Sequence, residues 1–118
     1  MAHVHDIDDE LKPAARELRG LIPEVLRGFA DLSRAAMAEG EVAVKHKELI
    51  ALGIAITREC DGCVLAHVRG AKRAGATRQE IAETCGVAIL MNGGPGTVWG
   101  PRALALYDEL ATSDSPSA

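Results

Sequence analysis

Only three aromatic residues, Phe29, Trp99 and Tyr107, occur in a chain whose side chains are 47% hydrophobic. Any core must therefore be assembled from Ala, Leu, Ile and Val. Such cores suit closely packed helices, since Ala and Leu are strong helix formers, and the expected fold class is all-α. The 118 residues suffice for one domain and not for two. A core this poor in large side chains is modest for that length, so burial of further surface by self-association is expected.

The apolar periodicity resolves into about six helices with no convincing strand. Residues 8–19 read as a short helix capped by Asp8 or Asp9 and stopped by Gly20, with Pro13 delaying its start. Residues 24–39 follow, entered through Pro23, carrying the stripe Val25, Phe29, Leu32 and Ala36 and ending at Gly40. The third helix, 45–58, is apolar on more than one face and is expected to be buried nearly all round. The fourth starts near Cys60 or Asp61 and runs to Arg73 or Ala74, with Gly75 as its cap. Thr77-Arg78-Gln79-Glu80 is a capping box that opens a fifth helix, Arg78 to Met91. After the break at Asn92-Gly93-Gly94-Pro95-Gly96, a last helix begins at either Pro95 or Pro101 and carries Leu104, Tyr107 and Leu110. The domain spans 1–118, with a core of about 20–111 and a polar tail, 112–118, expected to fray.

The net charge is −4 with acids and bases interleaved, which excludes the basic stripe of a nucleic-acid surface. The longest apolar run, Leu49 to Ile56, is far too short to span a bilayer. The first residues, Met1-Ala2-His3-Val4-His5-Asp6, lack the basic and apolar regions of a signal peptide. A cytoplasmic protein is expected, and in a reducing compartment a close Cys pair points to catalysis or metal binding rather than to a structural disulfide.

That pair is Cys60-Asp61-Gly62-Cys63, followed by Val64-Leu65-Ala66-His67. A Cys-x-x-Cys can close a disulfide across one turn, and a His four residues beyond the second Cys lies on the same helix face. The thiolate is the nucleophile. A helix N-terminus favours the anion near Cys60 to Cys63, and His67 can take the proton from Cys63. Cys60 is then the resolving thiol. The opposite order, with the N-terminal Cys attacking first as in thioredoxin-like pairs, is the alternative; the His spacing favours Cys63. Glu48 joins the set by symmetry. If the third and fourth helices form an antiparallel hairpin, positions 48 and 67 are equidistant from its turn and differ in height by only a few Å. Glu48 can then orient His67.

Glu48, eleven residues, Cys60-x-x-Cys63, three residues and His67 together resemble the active-site signature of the AhpD-like alkylhydroperoxidases, within the carboxymuconolactone decarboxylase-like superfamily. The resemblance continues through Gly70-Ala71-Lys72-Arg73-Ala74-Gly75-Ala76-Thr77 and Asn92-Gly93-Gly94-Pro95 into Gly100-Pro101-Arg102-Ala103, covering residues 20 to 110. It implies an all-α domain with the Cys pair at the start of a central helix, assembly into trimers or hexamers, and antioxidant reduction of organic hydroperoxides. In that reading Glu48 and His67 relay the proton from Cys63. A hydroperoxide or disulfide is the substrate, an external dithiol or reductase restores the thiols, and neither organic cofactor nor metal is required. Some members carry a His just before the second Cys; Gly62 stands there in this chain.

Two rival functions follow from the same residues. A non-redox lactone decarboxylase of the superfamily would have no use for paired thiols. A zinc-binding or scaffold protein could use Cys60, Cys63, His67 and Glu48 as a tetrahedral set, although no second Cys/His pair supports it. Cys85 is expected to be a small buried hydrophobe, His46 a solvated or capping residue, and Trp99 and Tyr107 packing or subunit-interface residues. His3 and His5 are placed in a mobile terminus, with weak adventitious metal binding as their limit. The glycine-rich break is not a phosphate cradle, since it lacks the Lys-Ser/Thr and the preceding strand.

Overall fold

The computed structural model describes residues 3–113, and its elements there are six α-helices: α1 (Val4–Leu21), α2 (Pro23–Met37), α3 (Val44–Arg58), α4 (Asp61–Arg73), α5 (Arg78–Asn92) and α6 (Gly96–Ser113). The all-α expectation holds, and the capping box at Thr77 and Glu80 opens α5 as read from the sequence. Glu80 Oε1 accepts from Thr77 N–H at 2.8 Å while Thr77 Oγ1 accepts from Glu80 N–H at 3.1 Å.

The core lies among α3, α4, α5 and α6. Leu52, Ala55 and Ile56 of α3 meet Val64, Leu65, Val68 and Ala71 of α4, Ile81, Cys85 and Ala88 of α5, and Ala103, Leu106 and Leu110 of α6. Aliphatic Leu, Ile and Val side chains interleave with Ala55, Ala71, Ala88 and Ala103, and aromatic rings are absent from this buried set. Cys85, buried as expected, sits against Gly100 and donates its S–H to that residue's carbonyl at 3.5 Å. Tyr107 packs on the core and donates to Ala76 O at 3.0 Å. Trp99 also packs there, with the Arg102 guanidinium 4.4 Å above its ring.

Several sequence expectations shift. The first helix begins at Val4, four residues before the expected start, and Pro13 lies inside it rather than delaying it. His3 and His5 therefore belong to an ordered helix start and not to a mobile terminus. The cause is long-range: Glu109 of α6 accepts from Val4 N–H and pairs with His3 Nδ1, both at 3.1 Å. Ile7 is buried against the body, and Asp8 pairs with Arg69 of α4 at 3.0 Å. The second helix ends at Met37, before the expected Gly40. Lys47 of α3 caps that end, its ammonium donating to Ala36 O and Ala38 O at 3.0 and 2.6 Å. The third helix is not buried all round, because Ile50 and Ile54 are exposed. The last helix starts at Gly96, with Pro101 tolerated in its interior. Thr112 and Ser113 continue that helix rather than fraying, and the rest of the expected tail, 114–118, lies outside the described residues.

The α3–α4 connection positions the site. Glu59 takes the left-handed conformation (φ 54°, ψ 47°), unusual for a residue with a Cβ. It ends α3 by donating back to Ile56 O at 3.2 Å, and Cys60 then becomes the N-cap of α4. Two helices joined by so short a turn run antiparallel, which brings positions far apart in sequence face to face.

The Asp8–Arg69 pair gives a pH prediction. The hydrogen bond from Arg69 holds the Asp8 carboxyl below the ordinary aspartate range, with burial acting in opposition. A depressed carboxyl stabilises the fold above the unfolded-state value and loses that contribution as pH falls. The pair is partly exposed, so about 0.5 kcal/mol is expected. In thermal melts, Asp8→Asn should lower Tm slightly at neutral pH, and the gap from the native protein should close below about pH 4.

Candidate active site

Cys60 caps the N-terminus of α4. Its Sγ accepts from Cys63 N–H at 3.2 Å, and its carbonyl accepts from Val64 N–H at 2.8 Å. A thiolate there would face free helix N–H groups and the positive end of the helix dipole. Both residues are free cysteines, their sulfurs 2.6 Å apart and sharing a hydrogen bond. Cys63 is exposed and Cys60 half-buried, so an incoming reagent meets Cys63 first.

The Cys63 thiol is pushed above the ordinary cysteine value. The hydrogen bond with Cys60 is the first cause, followed by desolvation and by the charge of Cys60, while the Arg58 guanidinium pulls the other way. A proton held in this manner needs a base to remove it. His67 lies one turn along the same helix. Its Nδ1 sits 2.8 Å from Glu48 Oε2, the contact expected for an antiparallel hairpin. With Nδ1–H donated to the carboxylate, Nε2 is the nitrogen left to accept a proton. Glu48 is well buried, with 15% of its side chain exposed, and it lines a surface pocket with Glu39, Val44, Lys45, Gly70 and Arg73.

The structure thus brings the four sequence-chosen residues onto one hairpin: Glu48 with His67, and Cys60 with Cys63. The two halves are joined by one turn of α4, and the hydrogen bond that His67 makes goes to Glu48. Among the described residues, no three His, Cys, Asp or Glu side chains converge as a metal-binding group. His46 is exposed in the first turn of α3, away from this pairing.

Two contacts escaped the sequence reading. A Cβ at position 62 would stand 3.0 Å from Leu11 Cδ1, so α1 covers the middle of the Cys-x-x-Cys turn. Gly62 is thus a bare position under another helix. The Glu48 carboxylate also lies flat against Gly70, a glycine in the interior of α4. Glycine at i+3 from His67 was the available signal, because a mid-helix glycine disfavours the helix unless something packs on it.

Removing Cys60 tests the origin of the raised Cys63 value. In Cys60→Ala the shared hydrogen bond and the neighbouring charge both vanish. Alkylation of Cys63 by iodoacetamide, followed against pH by mass spectrometry, is expected to have its midpoint at lower pH than in the native protein. A midpoint that stays put or rises would assign the shift to another source.

A model of the carboxymuconolactone decarboxylase family matches residues 23–106. An uncharacterised protein of Cupriavidus necator is 40% identical over 88 residues, 75% of this chain and 78% of that one. An uncharacterised protein from the cox locus of Paracoccus denitrificans is 38% identical over 82 residues, 70% and 74% of the two chains. Among solved structures, a carboxymuconolactone decarboxylase family protein of Legionella pneumophila superposes with a TM-score of 0.85 at 34% identity, covering 89% of this chain and 94% of that one. A Thermotoga maritima protein of the same family, described with a suggested part in antioxidative response, gives 0.76 at 27% identity, covering 89% and 92%. The family match spans most of the chain and includes the whole α3–α4 hairpin, so this chain belongs to the carboxymuconolactone decarboxylase family, in line with its resemblance to the AhpD-like members.

Proposed function

We propose that the protein is a thiol–disulfide oxidoreductase that reduces hydroperoxides. The observation that carries this reading is the pair of free thiols in contact at a helix N-terminus, one turn from an imidazole already bonded to a carboxylate. The antioxidative description of the Thermotoga relative agrees with it. In the proposed cycle His67 takes the proton of Cys63, and Glu48 stabilises the imidazolium. The thiolate attacks one oxygen of the hydroperoxide and the O–O bond breaks. Cys63 becomes a sulfenic acid, and the alkoxide leaves as an alcohol with the proton held by His67. Cys60 then attacks the Cys63 sulfur, the S–O bond breaks, and the Cys60 proton departs with the hydroxide as water. An external dithiol reduces the resulting disulfide to two thiols and is itself oxidised. A reducing cytoplasm suits this last step.

Either Cys60→Ser or Cys63→Ser is expected to abolish dithiol-dependent consumption of an organic hydroperoxide. Unchanged turnover in both variants would sink the mechanism. The family's name allows a lactone decarboxylase instead, and release of CO₂ from a carboxylated lactone by the double variant would favour that reading.

The functional unit in this proposal is a homo-oligomer, a trimer or hexamer. Helix α2 has an apolar stripe of Val25, Phe29 and Leu32, which are 63%, 66% and 64% exposed, and none of its fifteen residues is buried. A groove of about 470 Å³ between α3 and α5, lined by Leu49, Ile50, Ile54, Val87 and Met91, is a second uncovered apolar surface. A second copy of the chain supplies partners for both. The native protein should elute in light-scattering chromatography at several times 12.4 kDa, and Phe29→Asp should shift it towards the monomer. A native monomer would overturn the assembly.

A further inference from the structure

We propose that Gly70 is a positioning residue: the bare face it leaves on α4 seats the Glu48 carboxylate and thereby sets the Glu48–His67 hydrogen bond. This rests on the proton relay proposed above. A Cβ built on Gly70 would stand 2.5 Å from Glu48 Cδ, 2.5 Å from Oε2 and 2.6 Å from Oε1. All three atoms belong to one carboxylate, so it lies flat against the helix where a side chain would otherwise be. Gly70 is three residues beyond His67, so both residues face α3 from the same side of α4. The seat and the hydrogen-bond partner are therefore one turn apart, and the carboxylate spans them.

Glycine in a helix interior is a poorer choice than alanine unless a close approach requires it. Gly70 qualifies, whereas Gly86, in the interior of α5, has nothing within 4 Å of where its Cβ would be. The obstacle at position 70 is the tip of a flexible side chain and not backbone. A methyl there leaves the helix intact and moves Glu48. The open direction is the pocket of about 570 Å³ that Glu48 lines. The charged groups around that pocket are Glu39 from the α2–α3 connection, Lys45 from α3 and Arg73 from α4. From α5, Glu80 holds Lys45 at 3.0 Å, and on α4 Arg69 is occupied by Asp8 of α1 at 3.0 Å. A carboxylate displaced into the pocket meets the Arg73 guanidinium, which holds it away from His67.

The test is Gly70→Ala in the full-length chain, with Gly86→Ala as the control. Three readouts are needed: the imidazole ¹⁵N shifts of His67, the pH profile of Cys63 alkylation by iodoacetamide, and hydroperoxide turnover. In Gly70→Ala the His67 shifts should move to those of Glu48→Gln. Alkylation near neutral pH should slow about tenfold, and kcat should fall with KM for the hydroperoxide little changed. Gly86→Ala should leave all three as in the native protein. Added to Glu48→Gln, Gly70→Ala should have no further effect, because the two changes act through one contact. Native ¹⁵N shifts and a native alkylation profile in a folded Gly70→Ala protein would overturn the inference. If Gly70→Ala does not fold, the further change Glu48→Ala should restore folding by vacating the seat, and failure to restore it would also overturn the inference. Should the native protein consume no hydroperoxide while Gly70→Ala still moves the His67 shifts and the alkylation profile, the peroxidase reading falls and the role of Gly70 stands.

Discussion

The hydrogen bond between Glu48 Oε2 and His67 Nδ1, at 2.8 Å, ties the register of the α3–α4 hairpin to its chemistry. A carboxylate on the packed side of a helix loses hydration when the helix packs, and that loss is offset only by a partner. The partner is an imidazole, whose orientation is in turn fixed by the bond. One helical step of slip between α3 and α4 would separate the two residues by about 1.5 Å along the axis and leave a carboxylate unpaired in the hairpin. The packing of Leu52, Ala55 and Ile56 against Val64, Val68 and Ala71 therefore favours the same register as the polar contact. Agreement between apolar and polar demands of this kind singles out one alignment.

Much of this hairpin was legible in the chain. Helical periodicity gave α3, the Gly75 and Thr77 signals gave the α4–α5 boundary, and equal distances from the turn paired Glu48 with His67. What escaped was set by distant residues. Near His3 the local helix-start signal is slight, an Asp6 carboxylate that accepts from His3 N–H at 3.3 Å, and the further support comes from Glu109, more than a hundred positions away. The turn itself rests on Glu59 in a left-handed conformation, where a glycine or asparagine would have been the recognisable signal. Apolar content also over-stated burial: Ile50 and Ile54 follow the pattern of core residues yet face outward, as do Val25, Phe29 and Leu32. Periodicity reports which face is apolar, and not whether the same chain covers it.

That difference matters most for α2. A fifteen-residue helix is marginal in water without tertiary support, and α2 gives no residue to the core. Its polar face carries Glu24–Arg27 and Asp31–Arg34 pairs, which at such exposure contribute little. Tertiary burial is the remaining source of stability for its apolar face, and the proposed assembly would supply it from a neighbouring copy. In that case the order of α2 is linked to protein concentration. The α3–α6 body, which has its own core, is much less affected.

Helix α4 concentrates the conflict between folding and chemistry. It carries Gly62 in its first turn and Gly70 in its interior, the latter about 1 kcal/mol less favourable than alanine there. Both bare positions admit a side chain from another element: Leu11 of α1 lies over Gly62, and Glu48 of α3 lies on Gly70. Between them stand Cys63 and His67. Alanine at both positions would make a better isolated helix and a worse site, since a methyl at 62 presses on Leu11 and a methyl at 70 displaces the carboxylate. The helix is held instead by what packs around it, with Val64, Leu65, Val68 and Ala71 buried on its core face. Burying those four side chains contributes on the order of several kcal/mol, more than Gly70 removes. The core face of α4 thus supplies the stability that leaves its other face free to be shaped around the thiols.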